Sequence, residues 1–305
     1  MDHVAVLRRF NRSFTTRIGV LEERFLGLDR PLGHARVLFE IGSTPDATMA
    51  VRDLRSDLDL DSGYLSRILR ALEGDGLIEV VADSADARQR SARLTAEGRE
   101  EWTRLDERSD RLAAAVVDGL APRHRDRLAV ALDDTDRLLA AAQATFEVTD
   151  PLAADARAAM TRYFDELDRR FPGGFDPADA IEAEAAALTV PAGRFVVVRV
   201  DGRPAGCGGV QVLPDGAAEI KRMWIDDHMR GLGLGARLLR ALEDHARALG
   251  CNVVRLDTNS VLTDAVAVYR RAGYRDIPRY NTNPYADTFF GKDLTATAGR
   301  GRSRS

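Results

Sequence analysis

Lysine is almost missing from this chain of 305 residues, which has it only at Lys221 and Lys292. Residues 1–220 contain none, so that stretch offers no side-chain amine for modification. Cysteine is as scarce: Cys207 and Cys251 lie far apart and form no Cys-x-x-Cys pair. This excludes a disulfide framework and points to buried thiols in a cytoplasmic protein. The five histidines are scattered without ligand spacing, so no metal is expected. No apolar run is long enough to span a bilayer, and the N-terminus lacks the apolar core of a signal peptide, so no membrane partner is expected.

The length suits two domains with separate cores. A net charge of −4 argues against a wholly basic nucleic-acid protein but leaves room for a local basic face. Apart from the two lysines every basic side chain that keeps its charge is arginine, which pairs bidentately with phosphate and guanine; genomic base composition accounts for the same bias.

Periodicity predicts a helix from Val4 to Leu28, with Val4, Leu7, Phe10, Phe14, Ile18, Leu21 and Phe25 on one stripe. A second helix follows from Pro31 to Gly42 and a third from Ala47 to Asp57. Asp61 and Ser62 give an N-cap signal for a fourth, Gly63 to Gly74, with Leu65, Ile68, Leu69 and Leu72 facing inward. Residues 77–81 and 91–94 read as strands around a polar turn, and two helices follow, 96–119 and 123–144. This is the order of a winged helix-turn-helix. With Glu73-Gly74-Asp75-Gly76-Leu77-Ile78, Asp86-Ala87-Arg88 and Leu94-Thr95-x-x-Gly98 it resembles the MarR family of transcriptional regulators. The resemblance implies a homodimer on a double-stranded DNA operator. Tyr64, Ser66, Arg67 and Arg70 would reach base edges or phosphates, Arg88 would reach the minor groove, and Arg90 and Arg93 would add backbone contacts.

The helical pattern breaks at Pro151 with no Gly/Ser linker, which predicts a domain boundary near residue 148 and a stiff joint. Beyond it the expected order is helix 152–171, helix 177–187, strands 195–200, 206–213 and 218–225, helix 234–249, strand 252–257, helix 263–272 and two last strands near 274 and 286. Between the third strand and its helix lies Arg230-Gly231-Leu232-Gly233-Leu234-Gly235-Ala236, a turn that frees backbone N–H groups at the positive end of a helix and so suits a pyrophosphate. Gly231-x-Gly233-x-x-Ala236 also fits a relaxed dinucleotide fingerprint. Here, however, five residues separate strand from loop, antiparallel strands come first, and too little chain remains for a doubly wound sheet.

Glu219 to Ile225, the Arg-x-x-Gly-x-Gly loop, Leu256-Asp257-Thr258-Asn259 and Tyr269-x-x-x-Gly273-Tyr274 resemble the GNAT family of N-acetyltransferases. Phe171-Pro172-Gly173-Gly174-Phe175-Asp176 is similar to a segment of a GNAT subgroup often fused to MarR-type domains. The chain thus resembles a multi-domain fusion. Residues 1–147 would be an α-rich winged helix-turn-helix domain, 148–295 an α/β GNAT domain with a mixed, mostly antiparallel sheet, and 296–305 a disordered tail.

That resemblance implies acetyl-CoA as co-substrate. The backbone of Met223, Trp224 and Ile225 would hold the pantetheine arm, and the amides of Arg230, Gly231, Gly233, Gly235 and Ala236 the pyrophosphate. Tyr269 would be the general acid and Glu219 the base, directly or through water. Asn259 would hydrogen-bond in the same cleft as a further cofactor-binding residue, and Tyr280, Asn281 and Tyr285 would contact a small-molecule amine acceptor. The expected function is a bifunctional DNA-binding regulator and N-acetyltransferase. Two alternatives stay open: a regulator whose second domain only senses acetyl-CoA or a metabolite, and a protein N-acetyltransferase.

Overall fold

The computed structural model describes residues 1–17, 30–82, 90–176 and 180–295. Arg88 with the rest of the Asp-Ala-Arg element, the end of the predicted first helix and the tail 296–305 lie outside the described residues. Contacts divide the chain into two compact units, Met1–Ala131 and Leu132 onward.

The first unit runs α1 (His3–Arg17), α2 (Leu32–Gly42), β1 (Thr48–Ala50), α3 (Val51–Asp57), α4 (Ser62–Gly74), β2 (Ile78–Ala82), β3 (Arg90–Leu94) and α5 (Ala96–Asp118). α6 (Pro122–Gln143) begins in this unit, and the division falls within it. Asp61 caps α4 by accepting from the N–H groups of Gly63 at 2.9 Å and Tyr64 at 3.0 Å. Leu65, Ile68, Leu69 and Leu72 then bury one stripe against Val37, Leu38 and Ile41 of α2. The third helix starts later than the periodicity suggested. Ala47 takes a left-handed turn (φ 51°) and Thr48–Ala50 pairs with β3 instead, giving a sheet of order β1-β3-β2.

The Leu94-Thr95-x-x-Gly98 pattern has a packing reason. The Thr95 hydroxyl accepts from Gly98 N–H at 3.0 Å, capping α5, and donates to Gly76 O at 2.7 Å. This seats Gly98 on the end of β2's approach, where a Cβ would lie 1.9 Å from the Leu77 carbonyl oxygen.

The second unit contains the end of α6, β4 (Thr145–Val148), α7 (Ala154–Arg170), α8 (Ala180–Ala185), β5 (Gly193–Val200), β6 (Arg203–Val212), β7 (Ala218–Ile225), α9 (Leu234–Ala248), β8 (Val253–Thr258), α10 (Thr263–Arg271), β9 (Arg275–Asp276) and β10 (Thr288–Asp293). Its seven-stranded sheet has the order β4-β5-β6-β7-β8-β10-β9, with β7 and β8 parallel and the other pairs antiparallel. β4 lies on the first-domain side of the boundary expected at 147/148, apart from its last residue. Its polar–apolar alternation (Thr145, Phe146, Glu147, Val148) suits an edge strand, and it pairs with β5 through Phe146↔Val198. Ala141 and Ala144 already join the second unit's core.

That core has two layers. Leu234, Leu238, Leu239, Leu242 and Ala246 of α9 cover one face of the sheet with Val196, Val198, Val210 and Ile220. Ala156, Ala159, Met160, Phe164 and Leu167 of α7 cover the other with Phe195, Val197, Cys207 and Trp224. Both cysteines are buried, and burial pushes the Cys207 thiol up to about 12. No helix among the described residues is long and apolar enough to cross a membrane.

Gly98→Ala should force α5 away from the Leu77 carbonyl and destabilise the first unit by about 1–3 kcal/mol, as overpacking does. Trp102 lies in this unit and Trp224 in the other. Denaturation of the full chain in a Trp224→Phe background, followed by Trp102 fluorescence, measures the loss; an unchanged midpoint contradicts the packing account.

Candidate functional site

The two parallel strands meet at only two registers, Ala218↔Val254 and Glu219↔Arg255, and then part. A bulge on the other edge of β7 accompanies the parting. Cys207 opposes Trp224 and Gly209 opposes Lys221, so two residues, Arg222 and Met223, face the single residue Gly208. Arg222 absorbs the extra residue with a left-handed φ of 56°. The bulge reverses side-chain alternation: Ile220, Met223 and Ile225 all face the α9 layer, while Trp224 faces the α7 layer. From Ile220 onward the β8-side edge of β7 has no strand partner among the described residues.

Two cavities open at this parting. One, of about 530 Å³, lies against the glycine loop and the free edge of β7. The other, of about 470 Å³, lies between Glu219 and the loop 281–286. Tyr163, Leu167, Met223, Leu262, Ala265 and Tyr269 line both. Burial, with smaller effects from Tyr163 and Asp257, raises the Tyr269 phenol above its ordinary value, so it keeps its proton through neutral pH. Its ring is fixed 5.9 Å from those of Tyr274 and Phe290.

On the loop side, Gly231 (φ 80°) and Gly233 (φ 81°) adopt left-handed conformations that favour glycine, and a Cβ on either would meet no protein atom within 4 Å. Helix geometry leaves the first-turn N–H groups of Leu234, Gly235 and Ala236 without intrahelical acceptors. Arg230 differs from the expectation, because its amide already donates to Asp227 O at 3.2 Å. Its guanidinium donates to Ile225 O at 3.0 Å and to the Glu166 carboxylate, which also accepts from Trp224 Nε1 at 2.7 Å and Arg170 at 3.1 Å. Glu166 thereby ties α7, β7 and the glycine loop together. Burial opposes its ionisation, but Arg230, Trp224 and Arg170 outweigh that and hold the carboxyl below its ordinary range. Trp224 faces this clamp with its side chain, leaving only its backbone for a ligand.

On the other side, Glu219 is buried at 6% exposure and accepts from Gln211 Nε2 at 2.7 Å and Asn281 Nδ2 at 3.3 Å. The Asn281 amide also donates to Asp257 at 2.8 Å, so it bridges two carboxylates. Asn283 donates to the same Asp257 oxygen at 3.1 Å. Glu184 of α8 holds Lys221 at 2.8 Å and Arg222 at 3.0 Å, and these cations overcome the opposing effect of burial to keep its carboxyl below the ordinary range.

Two residues sit elsewhere than expected. Asn259 lines the Glu219 cavity rather than the glycine-loop cavity, because its amide donates to Tyr285 O at 2.8 Å and anchors that loop. Tyr280 is not among the residues lining either cavity: its ring packs edge-on to Phe289 at 5.8 Å, behind the carboxylate pair. Asn281 and Tyr285 do line the cavity. Asp257, Glu184, Glu166 and Tyr163 were not singled out from sequence. Asp257 alone had a local signal, lying two residues before Asn259 on the strand that follows the glycine-loop helix.

In the first unit, Tyr64, Arg67 and Arg70 are exposed on α4 and Ser66 is half-buried between them. The Arg67 guanidinium lies 5.6 Å from the Tyr64 ring centre, and Arg70 Nε donates to Ser66 O at 3.2 Å. Arg90 is exposed at the start of β3, and Arg93 donates to the Thr48 hydroxyl at 3.2 Å.

A family model described as the acetyltransferase (GNAT) family matches residues 160–274, and one described as the MarR family matches residues 26–89. An IAA acetyltransferase of Azospirillum brasilense is 35% identical over 120 residues, which are 39% of this chain and 78% of the relative. An uncharacterized N-acetyltransferase of Schizosaccharomyces pombe is 30% identical over 102 residues, 33% of this chain and 63% of that relative. A solved acetyltransferase of the GNAT family from Staphylococcus aureus aligns with a TM-score of 0.44 at 16% identity, covering 50% of this chain and 99% of its own.

Glu166→Gln should destabilise the second unit by about 1–3 kcal/mol at neutral pH, the cost of weakening bonds to a buried charged group. A carboxyl whose folded value is lowered contributes stability above its unfolded value and loses it as pH falls through the folded one. The gap between wild type and variant should therefore close in acid, below the ordinary carboxylate value. Thermal melts across that range measure it, and a gap independent of pH contradicts the clamp.

Proposed function

This chain belongs to the GNAT acetyltransferase family and carries a MarR-family domain ahead of its acetyltransferase domain, and on that basis we propose that it is a bifunctional DNA-binding regulator and acetyl-CoA-dependent N-acetyltransferase acting on a small amine. The observation that carries the enzymatic half is the junction of the two cavities. Met223 and Tyr269 stand between a space lined by free backbone amides and a space lined by carboxylates. The glycine loop fits the diphosphate of an acyl-CoA, since Gly231, Gly233, Gly235 and Ala236 line the cavity where the first-turn amides of a helix N-terminus lack intrahelical acceptors.

Bound there, acetyl-CoA supplies an activated acetyl thioester. The free edge of β7 at Met223–Ile225 holds the pantetheine arm and polarises the thioester carbonyl. An amine enters from the Glu219 cavity as its ammonium ion, and Glu219 takes one proton, directly or through water. The nitrogen lone pair attacks the carbonyl carbon, a C–N bond forms and the C–S bond breaks. Tyr269 gives its proton to the departing sulfur, and the amine's second proton restores the phenol. The balance is one amide, one thiol and one proton released.

The DNA-binding half rests on α4. Its apolar stripe is buried while Tyr64, Arg67 and Arg70 face outward beside Ser66, and Arg90 stands exposed where the wing begins. Arg88, outside the described residues, is assigned a DNA contact by the MarR resemblance alone. α1 carries Val4, Leu7, Phe10 and Phe14 at 38–67% exposure, an apolar stripe that supports the homodimer which the MarR resemblance implies.

Tyr269→Phe should lower the rate of thiol release by about 10²–10⁴-fold, the range for a general acid. Glu219→Gln should lower kcat/KM, because the group that takes the ammonium proton is gone. Equal rates in Tyr269→Phe and wild type would remove the acid from the mechanism. Arg67→Ala and Arg70→Ala should each weaken binding to a DNA duplex and reduce the slope of log K against log salt by about one, if each contacts a phosphate. Fluorescence anisotropy over a salt series measures this; slopes and affinities equal to wild type would take α4 out of the interface.

A further inference from the structure

We infer that the acceptor is a ring-bearing primary amine without a carboxylate, an arylalkylamine, rather than an amino acid or an aliphatic amine. This rests on the acetyl-transfer reading above and concerns the same cavity.

Part of the lining of the Glu219 cavity is aromatic. Phe171, Phe175 and Tyr285 form a triangle with ring centres 6.1, 6.0 and 4.7 Å apart. Their positions are fixed from several directions. The Tyr285 hydroxyl accepts from Asp176 N–H at 3.2 Å, and the Tyr285 carbonyl accepts from Asn259 at 2.8 Å. Phe175 stacks on Phe164 of α7 at 5.5 Å. An aromatic ring placed here would meet ring faces and edges on a pre-formed wall, an arrangement that adds to simple apolar burial.

The charged part of the lining is mainly acidic. Four carboxylates line the cavity (Asp176, Glu184, Glu219 and Asp257), against two cations among the described residues, Lys221 and Arg222. Both cations already serve Glu184, at 2.8 and 3.0 Å, and Arg222 also lies 5.0 Å from the centre of the Phe164 ring. That leaves Glu219 and Asp257, joined through the Asn281 amide, facing the space without a full cationic partner; Lys221 stands 3.9 Å from Glu219. An ammonium group is favoured at this pair by Coulomb attraction in a partly dry site. A carboxylate on the same ligand would enter a lining that already sets four carboxylates against two cations, both of them held by Glu184. The ring wall and the acid pair lie on one cavity, so a single ligand with a ring at one end and an ammonium at the other meets both.

Three amines that differ by one group each test this on the full chain. 2-Phenylethylamine has both features, L-phenylalanine adds a carboxylate, and n-propylamine lacks the ring. Thiol release with acetyl-CoA should give 2-phenylethylamine a kcat/KM at least about tenfold above both others, the size of effect that one pocket group produces. Calorimetric titration of the same amines onto CoA-saturated protein should give the same order. Phe175→Leu should raise KM for 2-phenylethylamine but not for n-propylamine, and Asp257→Asn should raise KM for both while leaving KM for acetyl-CoA unchanged. Turnover of L-phenylalanine or n-propylamine as good as that of 2-phenylethylamine overturns the inference and leaves acetyl transfer standing. Preferential binding of 2-phenylethylamine with no thiol release overturns acetyl transfer and leaves the ligand class standing. Neither binding nor turnover of any amine overturns both.

Discussion

The site depends on two parallel strands that cannot stay paired. β7 and β8 share two registers and then diverge, and the residue that bends β7 away is Arg222, held in a left-handed conformation unusual for arginine. The strain of such a backbone, about 1–3 kcal/mol, persists only when its surroundings fix it. Here Glu184 holds the Arg222 side chain from α8, and Cys207 Sγ approaches its carbonyl at 3.5 Å. Without the bulge, Met223 would face the α7 layer and the free edge of β7 would close. With it, backbone hydrogen-bonding groups are exposed in a cleft instead of being used in a sheet.

Around that opening, charge is arranged in separate compartments. Glu166 gathers Trp224, Arg230 and Arg170 on the glycine-loop side, so the arginine that leads the loop is fixed by protein partners. Glu184 holds the two cations at the bulge. Glu219 and Asp257, linked by Asn281, keep net negative charge on the acceptor side. A diphosphate is thus favoured at one end of the cleft and an ammonium at the other, with Tyr269, protonated by burial, between them. Polarity along the cleft follows the direction in which the proposed reaction runs.

Much of this was legible in the chain because it rests on local chemistry. Gly231 and Gly233 mark left-handed turns, Asp61 marks a helix start, and the Leu65–Leu72 stripe marks a buried face. Glu219 and Tyr269 were found through motifs of fixed spacing. What stayed hidden depends on partners distant in sequence. Glu166 acquires its role only when α7 packs over Trp224 and Arg230, and Glu184 only when α8 reaches Lys221 and Arg222. The bulge left one trace: the alternation of Ala218-Glu219-Ile220-Lys221 breaks at Arg222, and Met223-Trp224-Ile225 are all apolar. Tyr280 and Asn259 were singled out through the family resemblance, but the direction of each side chain depends on Phe289 and Tyr285. The same is true of Thr145–Val148. A helix break at Pro151 suggested a boundary there, whereas pairing with β5 draws this strand into the second unit.

The central claim is that the parted strands and the glycine loop together form one acyl-CoA cradle. Hydrogen exchange of the full chain, followed by mass spectrometry with and without acetyl-CoA, tests it most directly. The account predicts slower exchange on binding at the amides of Gly231–Ala236 and along Met223–Ile225, with β5 unchanged. Protection elsewhere while both segments exchange as in the free protein would contradict it.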